Sequence, residues 1–182
     1  GQALLRSGAA VGDDIWVSGQ LGDARLALEA FRGTLSLPGE AFETVRRAME
    51  LPQPRVALGL ALRGIASSAI DLSDGLVGDL GHVLQRSGVG AMVQVDELPR
   101  SATLAAQLAD VQQQCLLAGG DDYELLFTAA PRQRDAVRVA SERAAVAVTR
   151  IGHIEPGQAL RLVDRTGARL AAHFSGFDHF AA

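Results

Sequence analysis

Short apolar runs of strand length alternate with segments of helical periodicity along almost the whole chain, and this alternation restricts the fold more than any other feature. Ile15-Trp16-Val17-Ser18 reads as a buried strand closed by Gly19. Leu21-Gly22-Asp23 turns into a helix that runs to about Phe31, and residues 33–39 form a loop. Glu40 to Leu51 reads as an amphipathic helix, with Phe42, Val45, Ala48 and Met49 on one face. Pro52 and Pro54 interrupt the pattern before a further helix from Arg55 to Gly64. A strand over 67–71 leads into a helix that carries Leu76, Leu80, Val83 and Leu84 at helical spacing. A strand over 91–95, a helix over 104–108, a strand over 123–128 and a helix over 131–144 follow. Two strands, 146–154 with a break near Thr149 and 160–163, complete the pattern. Strands alternate with helices, but the last strands cluster, so no strict βαβ repeat is present. The class is therefore α/β (α+β), with a mixed sheet covered by helices.

The 182 residues suffice for one domain with a sizeable core. Hydrophobic residues make up 48% and aromatic residues only 4%, so that core must be built from Leu, Val, Ile and Ala. A net charge of −4 argues against a general affinity for nucleic acid. No apolar run approaches the length of a membrane span, and Arg6 with Asp13-Asp14 breaks up any signal-peptide pattern. Cys115 is the single cysteine, and beside Leu116 and Leu117 it reads as a buried thiol in a reducing, cytoplasmic setting.

The strongest local chemical signal is Ile70-Asp71-Leu72-Ser73-Asp74-Gly75, where a strand ends and a helix begins. Helix N-termini present free N–H groups and a positive dipole end, which suit phosphate. Carboxylates with a hydroxyl between them are ligands for hard cations, and a bridging Mg²⁺ would relieve the repulsion between carboxylate and phosphate. Taken by themselves, these residues favour a plainer reading, with Ser73 as helix cap and Asp74 answering the dipole. Gly119-Gly120-Asp121-Asp122-Tyr123-Glu124 is the second signal: paired glycines allow close backbone approach, and the acids could hold a polar ligand or a cation. Its plain reading is a turn with acids in solvent. Asp13-Asp14 reads as a turn, and Asp23 as an N-cap or first-turn residue of its helix. His82, His153, His173 and His179 show no metal-ligand spacing, and no P-loop, dinucleotide fingerprint or nucleophile elbow is present. Phe174, Phe177 and Phe180 concentrate in the last residues, either as a buried anchor or as a wall for a planar ring.

Five segments in register resemble the thiamine-monophosphate kinase family, of the aminoimidazole ribonucleotide synthetase superfamily. They are Arg6-Ser7-Gly8-Ala9 with Gly12-Asp13 and Leu21-Gly22-Asp23; Pro52-Gln53-Pro54-Arg55; Ala69 to Leu76 with Asp79-Leu80-Gly81-His82; Gly119 to Leu125; and Gly176-Phe177-Asp178-His179-Phe180. The resemblance implies that residues 1–182 are a C-terminal domain whose N-terminal ATP-binding domain lies outside this chain. It implies ATP- and Mg²⁺-dependent phosphorylation of thiamine monophosphate to thiamine diphosphate, by a homodimer of the full-length protein.

Asp71 and Asp74 fall on metal-binding positions of the family, Ser73 and Arg6 on ATP contacts, and Asp121 and Phe177 on substrate contacts. Asp121 stands where the family usually has the longer Glu, and Phe177 where relatives frequently have Tyr. The family's Gly-Asp-Asp-Ala motif has no counterpart, since Ile-Trp-Val follows Asp13-Asp14. The fragment alone is therefore expected to be inactive. The competing readings are a superfamily relative acting on another substrate and a non-catalytic binding or dimerisation module.

Overall fold

Alternation of side chains across a strand places successive residues on opposite faces of a sheet, and both faces are used here. The computed structural model describes residues 3–170. Its strands are β1 (Asp14–Ser18), β2 (Ser68–Leu72), β3 (Gly90–Gln94), β4 (Glu124–Ala129), β5 (Val148–Glu155) and β6 (Leu160–Val163). Its helices are α1 (Asp23–Phe31), α2 (Gly39–Glu50), α3 (Val56–Ala61), α4 (Leu76–Ser87), α5 (Ala102–Ala105), α6 (Ala109–Ala118) and α7 (Arg134–Ala144). Among the described residues the strands form one sheet in the order β2-β4-β1-β5-β3-β6. Neighbours are antiparallel except β3 and β6, so the sheet is mixed, as the sequence pattern predicts.

The larger core lies on one face. Ile15 and Val17 of β1, Ile70 and Leu72 of β2 and Leu126 of β4 join Leu26 of α1, Leu80 of α4 and Leu116 of α6. The other face carries Phe127, with Leu58 of α3, Val137 and Ala140 of α7 and the partly buried Trp16. The Trp16 and Phe127 rings lie parallel with centroids 6.3 Å apart. Cys115 sits in the larger core, where burial pushes its thiol up to about 12. No described helix is long and apolar enough to cross a membrane.

Several boundaries differ from the sequence expectation. The helix expected over 104–108 is the one-turn α5, begun by Ser101, whose hydroxyl accepts from the Leu104 N–H at 3.1 Å. Helix α6 was not expected, because polar Gln112 to Gln114 precede three consecutive buried residues, Cys115 to Leu117, and no apolar stripe repeats at helical spacing. The helix expected from Arg55 to Gly64 shortens to α3. β5 runs unbroken through Thr149. Tyr123 lies outside β4, at φ 49°.

Candidate active site

β2 stands at one end of the sheet, paired with β4 so that Asp71 lies opposite Leu125 and Leu72 opposite Glu124. Leu72 points into the core, while Asp71 is exposed on the other face. The chain then turns through residues 73–75 into α4. Gly75 has φ 101°, and a Cβ there would stand 3.1 Å from the Gly119 carbonyl oxygen, so this turn demands glycine.

The cap expected at Ser73 is not the one the structure uses. Gly75 holds the cap position, without a side-chain bond, and Asp79 in the first turn of α4 reaches back instead. Its Oδ2 accepts from the backbone N–H groups of Ser73 and Asp74, each at 3.0 Å. Burial raises the Asp79 carboxyl above the usual range; the two amide bonds oppose that shift, and the charges of Asp74 and Asp71 add to it.

Residues 119–123 pack directly on this turn. A Cβ at Gly120 would come within 2.6 Å of the Ser73 carbonyl oxygen. That carbonyl accepts from the Asp121 N–H at 3.0 Å, and the Leu72 carbonyl accepts from the Tyr123 N–H at 2.8 Å. Asp121 and Tyr123 both have positive φ, 66° and 49°, which is uncommon for residues with a Cβ and concentrates at functional sites. Both side chains are exposed, and the Tyr123 hydroxyl donates to Asp121 Oδ1 at 3.2 Å.

Asp122 turns the opposite way. Its oxygens accept from the Gly22 N–H at 2.9 and 3.1 Å, tying the loop to the start of α1. Burial pushes the Asp122 carboxyl well above the usual range, and the charges of Asp23, Glu124 and Asp121 push it further. The expectation of a turn with both acids in solvent therefore holds for Asp121 and fails for Asp122.

The two loops share an electrostatic environment. Asp121 raises the Tyr123 phenol above its ordinary range, and Asp71 and Asp74 add to the effect. A cleft of about 390 Å³ opens beside Tyr123, lined also by Pro52, Pro54, Val56, Leu125 and Asp71. Its lining includes Arg55, whose guanidinium is bound to Glu124. A second cleft, of about 510 Å³, is lined by Arg6, Arg63 and Asp71 among others. A smaller one, of about 230 Å³, brings Ser73 and Asp121 against Arg25 of α1 and Arg32 at its C-terminal end.

Asp71, Ser73, Asp74 and Asp121 are thus brought together, with Arg6 nearby, while Phe177 lies outside the described residues. Asp13 and Asp14 are built into the structure away from these loops. Asp13 takes the Ser67 hydroxyl at 2.6 Å, and Asp14 takes Arg134. Asp23, in the first turn of α1, takes the Ser101 hydroxyl at 2.6 Å. Among the described residues no group of three or more His, Cys, Asp or Glu side chains converges on a metal position. Two carboxylates nevertheless fit Mg²⁺, which keeps several waters and is commonly held by one or two carboxylates plus phosphate oxygens. The sequence places Asp79 in a motif without giving it a role, and does not reveal the inward Asp122 or the Arg55–Glu124 pair. The signal available for the last was an arginine after Pro-x-Pro and an acid heading an apolar strand.

The family of AIR synthase related protein, C-terminal domain, matches residues 10–165. The chain belongs to this family. It is 43% identical over 185 residues to the thiamine-monophosphate kinase of Salmonella typhimurium, covering 100% of this chain and 56% of that protein. The chain thus spans little more than half the length of that relative. The solved structure of thiamine-monophosphate kinase from Stenotrophomonas maltophilia superposes with a TM-score of 0.83 at 46% identity, over 89% of this chain and 53% of that one. AaThiL complexed with AMPPCP and TMP superposes with a TM-score of 0.78 at 28% identity, over 97% of this chain and 54% of that one.

Proposed function

We propose that the full-length protein containing this chain transfers the γ-phosphate of ATP to thiamine monophosphate, giving thiamine diphosphate, with Mg²⁺ as the required ion. The observation that carries this reading is that the 71–75 turn, with Asp71 and Asp74, and the 119–123 loop, with Asp121, are bonded directly to each other through the Ser73 carbonyl. Such an acidic surface repels phosphate unless cations mediate, and phosphoryl transfer depends mostly on positioning and charge neutralisation. The matching segments of the kinase relatives support the same reaction.

Asp71 and Asp74 would hold Mg²⁺, which when bound neutralises charge on the phosphate oxygens. The Ser73 hydroxyl and Arg6 contact ATP in this reading, while Asp121 and Phe177 contact the acceptor. The apolar walls of the Tyr123 cleft suit the ring portion of the acceptor. The buried single cysteine fits a cytoplasmic enzyme. The 182 residues alone are expected to be inactive, since the relatives supply nearly as much chain again.

The test is a kinase assay on full-length protein with ATP, thiamine monophosphate and titrated Mg²⁺. Asp74→Asn should lower turnover about 100-fold at fixed Mg²⁺, the scale of a lost charge contact at the transition state, with the fold intact by circular dichroism. Unchanged turnover would remove Asp74 from the site, and absent turnover in the wild type would overturn the reading.

A further inference from the structure

A turn that joins a strand to a helix ordinarily leaves its backbone N–H groups facing the ligand, and such a nest binds phosphate directly. Here those groups are used internally. The Ser73 and Asp74 amides both donate to a single oxygen of Asp79, at 3.0 Å each. Asp79 is 2% exposed, so this carboxylate is part of the protein interior. It fills the position that an anionic ligand would otherwise take at these two amides. The same two bonds fix the orientation of the peptide groups on either side of Ser73, which sets how the Ser73 and Asp74 side chains leave the backbone. The Ser73 carbonyl is fixed from its other side by the Asp121 N–H at 3.0 Å.

We propose that Asp79 is a positioning residue that makes the 71–75 turn a platform for a divalent cation instead of a phosphate-binding nest, by occupying the Ser73 and Asp74 amides with the protein's own carboxylate. The ligand side is then left with the carboxylates of Asp71 and Asp74, and phosphate reaches the turn only through a cation. The proposal rests on the kinase reading for the reaction, but its geometry is independent of the substrate.

Two variants of the full-length protein separate the roles of Asp79. Asp79→Ala removes the acceptor and frees both amides. Its half-saturating Mg²⁺ concentration should rise about 10- to 100-fold, the range for residues that orient metal ligands. Turnover should recover at high Mg²⁺. The variant should also gain inhibition by inorganic sulfate, because the vacated amides form an anion site, whereas the wild type should be insensitive. Asp79→Asn keeps one oxygen in place and should restore most of the Mg²⁺ response and remove the sulfate effect. If Asp79→Asn shifts the Mg²⁺ requirement as far as Asp79→Ala, acceptor geometry is not what matters and the proposal fails. It also fails if Asp79→Ala matches the wild type in both responses.

Mn²⁺ binding followed by electron paramagnetic resonance reads the platform without turnover. Intact binding that weakens in Asp79→Ala supports the proposal even if the kinase assay fails. Where Asp79→Ala does not fold, sulfate is titrated into wild-type protein labelled for NMR. Unmoved Ser73 and Asp74 amide resonances support the proposal, and shifts confined to those two amides overturn it.

Discussion

Arg55 grips Glu124 through two bonds, Nε to Oε2 at 2.7 Å and Nη2 to Oε1 at 2.5 Å. The Ser18 hydroxyl donates to Oε2 of the same carboxylate and accepts from the Leu125 N–H at 2.8 Å. The pair ties the Pro52–Pro54 side of the Tyr123 cleft to β4 and β1, across 69 residues of sequence. The Glu124 side chain is 7% exposed and that of Arg55 23%, so the pair is screened only in part. Arg55→Ala leaves a buried carboxylate with one hydroxyl partner and should cost about 3–5 kcal/mol. Arg55→Lys should recover little of it, because an ammonium cannot supply the fork. Urea unfolding measures both: the midpoint should fall while the slope stays the same.

Gly120 sets the distance between the two acidic loops. A Cβ there meets the Ser73 carbonyl oxygen at 2.6 Å, and that is backbone which cannot swing aside. Gly120→Ala should therefore push residues 119–123 off the 71–75 turn, at a cost of about 1–3 kcal/mol. In the proposed reaction Asp121 contacts the acceptor and moves with its loop, so KM for thiamine monophosphate should rise more than kcat falls. Gly157→Ala is the control. Its φ of 96° carries strain, but a Cβ there meets nothing within 4 Å, so KM should not change. An equal effect of the two substitutions would mean that the contact with Ser73 does not set the acceptor site.

Asp14 gives the fold an acid-sensitive contact. Its carboxylate takes Arg134 at 2.7 and 2.8 Å and Arg150 at 3.4 Å. The Arg134 bonds, with the charges of both arginines, hold it below the usual carboxylate range against the opposing effect of burial. A lowered folded value contributes stability above the unfolded value near 3.8, and that contribution is lost as pH falls through the folded value. Asp14→Asn should be less stable than wild type at neutral pH, with the gap closing below about pH 4. Thermal midpoints of both proteins from pH 7 to pH 3 measure it; a constant gap would assign the loss to packing alone.

Local pattern and long-range placement were unequally legible in the sequence. The alternation of Ile15, Trp16 and Val17 anticipates a strand with two buried faces, because each side chain's face follows from its parity. The apolar spacing of Leu76, Leu80 and Val83 likewise anticipates α4 and its buried stripe. Helix α6 escapes such reading because burial of Cys115, Leu116 and Leu117 in a row comes from its place between α4 and α1, not from periodicity. The site divides in the same way. Asp71, Ser73 and Asp74 are visible as a junction motif. That Asp79 and not Ser73 satisfies the turn depends on a helix reversing a side chain over its own N-terminus. Arg55 and Glu124 each stand out locally, one after Pro-x-Pro and one at the head of an apolar strand, but their pairing follows only once β4 is placed in the sheet. Asp121 and Asp122 look equivalent in sequence, but the left-handed backbone at Asp121 and Tyr123 sends those two side chains outward and Asp122 inward.

Asp122 should therefore act on stability with the sign opposite to Asp14. Burial raises its folded value well above the ordinary 3.8. The folded state then keeps a proton that the unfolded chain has already released, and stability falls as pH rises from about 3.8 toward the folded value. Asparagine cannot ionise, yet keeps a carbonyl oxygen for the Gly22 N–H that Asp122 now binds at 2.9 Å. Asp122→Asn should match the wild type near pH 3.5 and become the more stable protein as pH rises, the gap levelling off once the wild-type carboxyl ionises in the folded state. Urea midpoints of both proteins across pH 3.5 to 8 measure this difference. Parallel curves would mean that the Asp122 carboxyl is ionised in folded and unfolded states alike, and that its bond to Gly22 is an ordinary carboxylate contact.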